Sequence, residues 1–228
     1  RGCGKGRVIG GVSDELRLTN GIEKCVWLSV SQDLEKDSKR DLSDVQSGMK
    51  TMNLLDKEYE STGVMFSTYN TIVKPQRYND LCEWLGSDFE GLIVFDESHK
   101  AKQCLKNKSK TAQVIIELQE KYPNARILYV SATGFSTVEN MGYMIKLNMW
   151  GNKNHKNLKE FVDDTSGSDF ASEMVAMHLK KQGMYIARSL SYKKVTTGVT
   201  LIKTSEFESI YNESIRIVNK IRMSGLIK

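Results

Sequence analysis

The chain has 228 residues, of which 39% are apolar and 27% are charged, as is typical of a soluble globular protein with one large domain or one domain plus an appendage. No stretch approaches the roughly 18 apolar residues that span a bilayer, and the four widely spaced cysteines, without a CxxC pair, argue against a zinc site or a disulfide framework. The net charge of +5 comes entirely from residues 151–228, which permits a polyanionic partner there without demanding one.

The chain opens on a glycine-rich turn, in which Gly2, Gly4 and Gly6 surround Lys5 and Arg7 follows. Such a turn lets backbone N–H groups approach phosphate oxygens, and the start of a helix favours negative charge. Taken alone the motif is weak, because the full pattern GxxxxGK[ST] needs a glycine before residue 1 and a Ser or Thr where Gly6 stands. An ordinary helix-starting turn explains it more often than a phosphate loop.

Four continuous apolar runs predict buried strands of a parallel sheet. These runs are Cys25–Val30, Gly63–Ser67, Gly91–Phe95 and Ala125–Val130. Segments with helical spacing precede or separate them: Lys5 to about Leu18, Asp33–Val45, Tyr78–Leu85 and Thr111–Tyr122. Strands that alternate with helices predict an α/β fold with helices on both faces of the sheet. Because the opening turn should follow a strand and no Met begins the chain, we expect a piece of a longer protein whose first strand precedes residue 1.

The pattern changes after residue 150, so we expect one domain at 1–150 and a mainly helical extension at 151–228. Helices are predicted at Asn157–Val162 and Asp169–Gln182, and Ser205–Met223 is a strongly amphipathic helix. Two further runs, 184–192 and 195–204, have the composition of strands.

Two adjacent carboxylates follow the third predicted strand. Asp96 and Glu97 lie at its carboxyl end, where open α/β sheets bind their ligands. Mg²⁺ prefers one or two carboxylates together with phosphate and water, which suits Asp96. Glu97 is placed to polarise an attacking water, and His99 to sense a phosphate. The alternative is a solvated turn, and the continuous apolar strand before the pair makes that less favourable.

Ser131 and Thr133 follow the fourth predicted strand and present two hydroxyls at its end. Alone they indicate little, because Ser and Thr are common at such turns. Their order is more informative: a glycine-rich lysine turn, then the DESH tetrapeptide, then SAT one helix and one strand later.

In this order the three motifs resemble motifs I, II and III of superfamily 2 helicases and translocases. They are closer still to the Strawberry notch family of helicase-like proteins. The resemblance extends from Gly2 to about Tyr192, through GCGKGR, VWLSVSQDLEKDSKRDL, FSTYNTI, LIVFDESHKAK, YVSATG, NMGYM and GMYIARSLSY. Gly6 agrees with this family while departing from the general Walker motif, which leaves the usual hydroxyl ligand of Mg²⁺ without a source.

The resemblance implies a RecA-like P-loop NTPase lobe at 1–150. It also implies a family-specific extension at 151–228, which leads to a second lobe outside this chain. It implies ATP and Mg²⁺ as cofactors. In that reading Lys5 is catalytic and binds phosphate, Asp96 holds Mg²⁺ and Glu97 activates water. The remaining nucleotide-binding positions are Gly2, Gly4, Gly6, Arg7, His99, Ser131 and Thr133.

The resemblance also implies a nucleic-acid partner, DNA or RNA, with Ser67, Thr68 and Tyr69 at the region that touches its backbone. The expected function is ATP hydrolysis coupled to nucleic-acid remodelling or translocation, weak in this chain because a second lobe usually supplies arginine fingers. The main alternative is a nucleotide-binding scaffold that acts as a transcriptional co-regulator without motor activity. A third is an unrelated P-loop NTPase with a small-molecule substrate, which predicts no stimulation by nucleic acid. We expect an intracellular protein, nuclear if eukaryotic, with no membrane partner.

Overall fold

The computed structural model describes residues 4–101, 109–132, 138–165, 170–187 and 205–223. The chain divides into two compact units, Arg1–Ile186 and Ala187–Lys228. Within the described part of the first unit, five parallel strands form one sheet in the order β2-β3-β1-β4-β5. The strands are β1 Lys24–Ser29, β2 Thr51–Asn53, β3 Gly63–Thr68, β4 Leu92–Asp96 and β5 Arg126–Val130. The predicted α/β fold with a parallel central sheet is confirmed.

The helices precede, connect and follow these strands. They are α1 Lys5–Asn20, α2 Leu34–Asp44, α3 Tyr69–Ile72, α4 Pro75–Leu85, α5 Lys110–Lys121, α6 Leu158–Thr165, α7 Ala171–Lys181 and α8 Ser205–Met223. Short 3₁₀ turns cover Ser98–Ala101, Val138–Met141 and Ile145–Leu147. The described part of 151–228 is therefore mainly helical, as predicted.

The sequence did not predict two short elements. Strand β2 has three residues and no continuous apolar run, and it joins the sheet by pairing with β3. Helix α3 has four residues and begins where the Thr68 hydroxyl accepts a hydrogen bond from the Thr71 N–H, 3.2 Å away. Helix α4 starts three residues earlier than predicted, because Pro75 occupies its first turn, where a missing N–H costs nothing.

Both faces of the sheet are buried, which explains the continuous apolar strands. Alternate residues of β1 face opposite ways: Val26 and Leu28 join one hydrophobic cluster, and Cys25 and Trp27 join the other. Cys25 is almost fully buried in this core, and burial raises the pKa of its thiol to about 12.

A third hydrophobic cluster combines residues from both sides of residue 150, namely Val138, Met141, Met149, Phe161, Val162, Ala171 and Leu179. The domain boundary at residue 150 stays a prediction. Of the run 184–192 suggested as a strand, residues 184–187 have no regular secondary structure, and the rest lies outside the described residues, as does 195–204. In the second unit, α8 exposes Ile210, Tyr211 and Ile215.

Candidate nucleotide site

The candidate site lies at the carboxyl edge of the sheet. Because the strands are parallel, β1, β3, β4 and β5 all end at this edge, at Ser29, Thr68, Asp96 and Val130. Helix α1 begins at the same edge, since the Lys5 ammonium of its first turn reaches the carboxylates that follow β4. The fold therefore brings together the first two sequence motifs, which are more than 90 residues apart.

Lys5 joins the start of α1 to the end of β4. Its Nζ atom donates a hydrogen bond to Glu97 Oε1 and lies 4.0 Å from Asp96 Oδ1. Gly4, the residue before α1, has a left-handed φ of 75°, and a Cβ atom there would have no neighbour within 4 Å. A helix start with open space above it and a lysine beside it fits a phosphate group.

Asp96 is a partly buried carboxylate with both oxygens held. Ser29 Oγ donates to Oδ2 over 3.0 Å, and the backbone N–H of Glu97 donates to Oδ1 over 3.0 Å. Burial raises the pKa of Asp96, and the hydrogen bond from Ser29 and the charge of Lys5 offset only part of that rise. A carboxylate whose burial is incompletely offset favours a cation, so Asp96 fits the expected Mg²⁺.

Glu97 occupies a strained turn directly after β4. Its φ of 50° is left-handed, which costs a non-glycine residue on the order of 1–3 kcal/mol and is common at functional sites. Burial acts to raise the pKa of Glu97, but the hydrogen bond and charge of Lys5 outweigh it, so the pKa is lowered. The charge of His99 and the backbone N–H of Ala132 act in the same direction.

His99 connects the DESH segment to the residue after β5. Its Nδ1 atom lies 2.9 Å from Ser131 Oγ and 3.3 Å from Glu97 Oε2. The structure thus brings Lys5, Asp96, Glu97, His99 and Ser131 into one connected group, although their chemical roles stay predictions. Gly2 and Thr133 lie outside the described residues.

Two other predicted nucleotide-binding residues contact α2. Arg7 Nη2 donates to Asp44 Oδ2 over 2.8 Å, and a Cβ atom at Gly6 would overlap the carboxylate of Asp41. In the described structure, therefore, Arg7 pairs with a helix neighbour, and a nucleotide contact by it stays a prediction.

The residues predicted to touch nucleic acid are buried. Ser67 is fully buried, and Thr68 and Tyr69 are each 4% exposed. Thr68 caps α3, and the Tyr69 hydroxyl donates to the backbone carbonyl of Asp96 over 2.7 Å. Direct contact between these side chains and a polymer stays a prediction. In the structure, Thr68 and Tyr69 position α3 at the end of β4.

The sequence reasoning missed two supporting residues. Ser29, at the end of β1, holds Asp96, and only its place at a strand end hints at this. The Tyr143 hydroxyl donates to Ser98 Oγ over 3.2 Å, inside the core. Tyr143 belongs to the NMGYM stretch, yet nothing local in that stretch identifies its partner.

The site can be compared with known proteins. The model of a family described as "P-loop containing NTP hydrolase pore-1" matches residues 1–213. The chain belongs to this family. P-loop domains bind the phosphates of a nucleotide, with Mg²⁺, at the glycine-rich loop. Membership of the pore-1 family therefore agrees with the arrangement around Lys5 and Asp96.

Similar proteins confirm the resemblance to the Strawberry notch family. The chain is 40% identical to Protein strawberry notch of Drosophila melanogaster, over 95% of this chain and 15% of that protein. It is 39% identical to Protein strawberry notch homolog 2 of Homo sapiens (93% and 16%) and 35% identical to Protein FORGETTER 1 of Arabidopsis thaliana (99% and 19%). The chain spans less than a fifth of the length of these relatives.

Two features are absent from the described residues of the pore-1 domain. None of its helices there is both long and apolar enough to cross a membrane. No three His, Cys, Asp or Glu side chains of those residues cluster as a metal site. Mg²⁺ bound with a nucleotide needs no such cluster, because phosphate oxygens and water supply most of its ligands.

Proposed function

We propose that this domain binds MgATP and hydrolyses it, and that hydrolysis drives remodelling of nucleic acid or translocation along it. The observation that carries the proposal is the ion-paired group of Lys5, Asp96 and Glu97, which joins the start of α1 to the end of β4. A lysine at a helix start and two carboxylates at a strand end are among the groups that catalyse phosphoryl transfer to water.

Lys5 is the residue that changes partner in this proposal. Without nucleotide its ammonium neutralises Glu97 and lowers the pKa of that carboxylate. A bound phosphate competes for the same ammonium, and the loss of Lys5 raises the pKa of Glu97. Glu97 then becomes a better acceptor for the proton of an attacking water, so the base is activated when the phosphate is in place.

Asp96 holds the metal ion in this proposal. Ser29 and the Glu97 N–H fix its carboxylate, so it presents a defined oxygen at the edge of the sheet. The ion, when bound, offsets the charge of the phosphate oxygens. His99 and Ser131 lie beside Glu97 and link it to the end of β5, which suits a role in sensing the nucleotide.

The nucleic-acid part of the proposal rests on the resemblance to superfamily 2 motors and on Tyr69, which connects α3 to the Asp96 backbone. A polymer that moves α3 would act on the metal-binding strand end. We further propose a second RecA-like lobe as partner, because arginine fingers accelerate comparable reactions by about 10³–10⁵. An intracellular location, nuclear in a eukaryote, and partners in transcription belong to the same proposal.

The test is ATP turnover by the full-length protein, with and without single- and double-stranded DNA and RNA. We expect turnover that rises with one polymer and falls by about 10²–10⁴ in Glu97→Gln, because the general base is removed. MgATP binding in Glu97→Gln should persist and serves as the control for folding. Tight MgATP binding without turnover on any polymer would contradict a motor and favour the nucleotide-bound scaffold.

A further inference from the structure

The residue after the P-loop lysine normally carries a hydroxyl. In the pattern GxxxxGK[ST], that Ser or Thr hydroxyl binds Mg²⁺. Gly6 occupies the position here and has no side chain. Of the residues described above at the carboxyl edge of the sheet, only Asp96 is then proposed as a ligand of Mg²⁺.

The space above Gly6 is occupied by a carboxylate from another helix. A Cβ atom built on Gly6 would lie 1.9 Å from Asp41 Oδ2 and 2.8 Å from Asp41 Cγ. A Ser or Thr hydroxyl oxygen lies one bond, about 1.4 Å, beyond its own Cβ atom, a distance comparable with standard single bonds. Asp41 therefore puts a carboxylate oxygen close to where the missing hydroxyl oxygen would be.

The same oxygen is available for a ligand. Arg40 donates two hydrogen bonds to Asp41 Oδ1, at 3.0 and 3.3 Å, and a third to Asp37 Oδ1. No described residue donates a hydrogen bond to Oδ2, the oxygen above Gly6. The Asp41 side chain is 20% exposed, so this oxygen has lost part of its hydration without gaining a protein donor.

We propose that the Asp41 carboxylate replaces the Walker hydroxyl and supplies an oxygen ligand to the Mg²⁺ of bound MgATP. The inference rests on the proposed function, since it needs a nucleotide at the Lys5 turn. One or two carboxylates together with phosphate oxygens are what Mg²⁺ prefers, and Asp41 with Asp96 makes two. A carboxylate from α2 would also couple that helix to the presence of the metal.

Packing alone explains Gly6 but not the carboxylate. Helix α2 lies close to α1, since a Cβ atom at Gly10 would be 2.9 Å from Val45 Cγ2. Such an approach requires small residues on α1. It does not require a charged residue at position 41, where any side chain of similar size would fill the space above Gly6.

The experiment measures metal affinity directly, by electron paramagnetic resonance of Mn²⁺ with the non-hydrolysable analogue AMPPNP and the full-length protein. We expect Asp41→Asn to weaken Mn²⁺ binding at least about tenfold, since even outer-shell partners of a metal contribute about 10–100-fold in affinity. AMPPNP affinity in EDTA should not weaken, because no metal is present. Asp37→Asn is the matched control: it removes a carboxylate one turn away on α2 that also pairs with Arg40.

A double variant adds a gain-of-function test. Gly6→Ser with Asp41→Ala restores the general Walker hydroxyl and removes the overlapping carboxylate, so it should recover most of the Mn²⁺ affinity lost in Asp41→Ala. Serine at position 6 alone would displace the carboxylate.

The outcomes separate the two proposals. If the wild-type protein binds no nucleotide in metal or EDTA, the proposed function fails and the role of Asp41 fails with it. If the wild type binds Mn²⁺-AMPPNP and Asp41→Asn matches Asp37→Asn, only the metal role is overturned. A loss of AMPPNP affinity in Asp41→Asn that is equal with and without metal would also overturn it, because it indicates packing.

Discussion

The two sides of the site are built differently. On the strand side, Asp96 and Glu97 are consecutive residues after β4, and they follow the general pattern for a P-loop NTPase. On the helix side, Lys5 follows the pattern but Gly6 departs from it, and Asp41 of α2 fills the space. Contiguous residues can satisfy a motif locally, whereas a departure on the helix side is compensated through tertiary packing that no motif records.

The largest effect should come from Lys5→Ala, which removes the described ion pair between the two sides. In the proposed function Lys5 also binds the phosphates of ATP. A hydrogen bond to a charged group contributes about 1.5–3 kcal/mol, so ATP should bind to the variant about 10–150-fold more weakly. Titration with a fluorescent ATP analogue measures this. Lys50→Ala is the control, because Lys50 pairs with Glu60 on the surface. Equal affinity in Lys5→Ala and wild type would place the phosphates elsewhere.

A smaller effect should come from separating α1 and α2. Gly10→Val inserts a side chain where even a Cβ atom would lie 2.9 Å from Val45 Cγ2, so the free energy of unfolding should fall by about 1–3 kcal/mol. Gly11→Val, on the same helix, meets open space and should change stability by less than about 0.5 kcal/mol. Urea denaturation compares them. Equal stability in the two variants would mean that close packing does not fix the position of α2.

The smallest effect concerns the two neighbouring carboxylates of the strand side. Variants of Asp96 and Glu97 should differ in how their stability depends on pH, in nucleotide-free protein. The raised pKa of Asp96 means that charging this carboxylate costs stability as the pH rises above its ordinary pKa of 3.8. The stability of Asp96→Asn should therefore increase relative to that of the wild type over that range. The lowered pKa of Glu97 means that its charge stabilises above its ordinary value of 4.5, and this stability is lost as pH falls through the lowered pKa. Glu97→Gln should therefore be less stable at neutral pH, with a deficit that closes on acidification.

Thermal unfolding between pH 3 and pH 7 measures both variants. A difference of 1 kcal/mol corresponds to about 2–4 °C in Tm at this chain length. Parallel pH profiles for the two variants would show that the site does not distinguish the two carboxylates.

Much of the fold could be predicted from the sequence because both faces of the sheet are buried. That burial makes β1, β3, β4 and β5 continuous apolar runs, and a run of this kind needs no knowledge of its neighbours. The three-residue β2 and the four-residue α3 carry too few residues for a periodic signal, and their pairing with the rest of the chain creates them.

The candidate site divides in the same way. Asp96 and Glu97 could be predicted because they come directly after the apolar run of a strand. His99 could be predicted because it follows Glu97 by two residues in the same turn. The contacts of Ser29 with Asp96 and of Tyr143 with Ser98 depend on where strands and loops meet, across 67 and 45 residues of sequence. The position of Asp41 depends on how closely α2 approaches two glycines, which composition and spacing do not encode.

The hydrogen bond from Tyr69 to the Asp96 carbonyl has a mechanical consequence. The hydroxyl oxygen is fixed in the plane of the ring, and the ring is almost fully buried. The side chain therefore connects α3 directly to the last residue of β4. The position of α3 and the backbone at the candidate metal-binding carboxylate are therefore coupled through one side chain, although no shared sequence motif connects them.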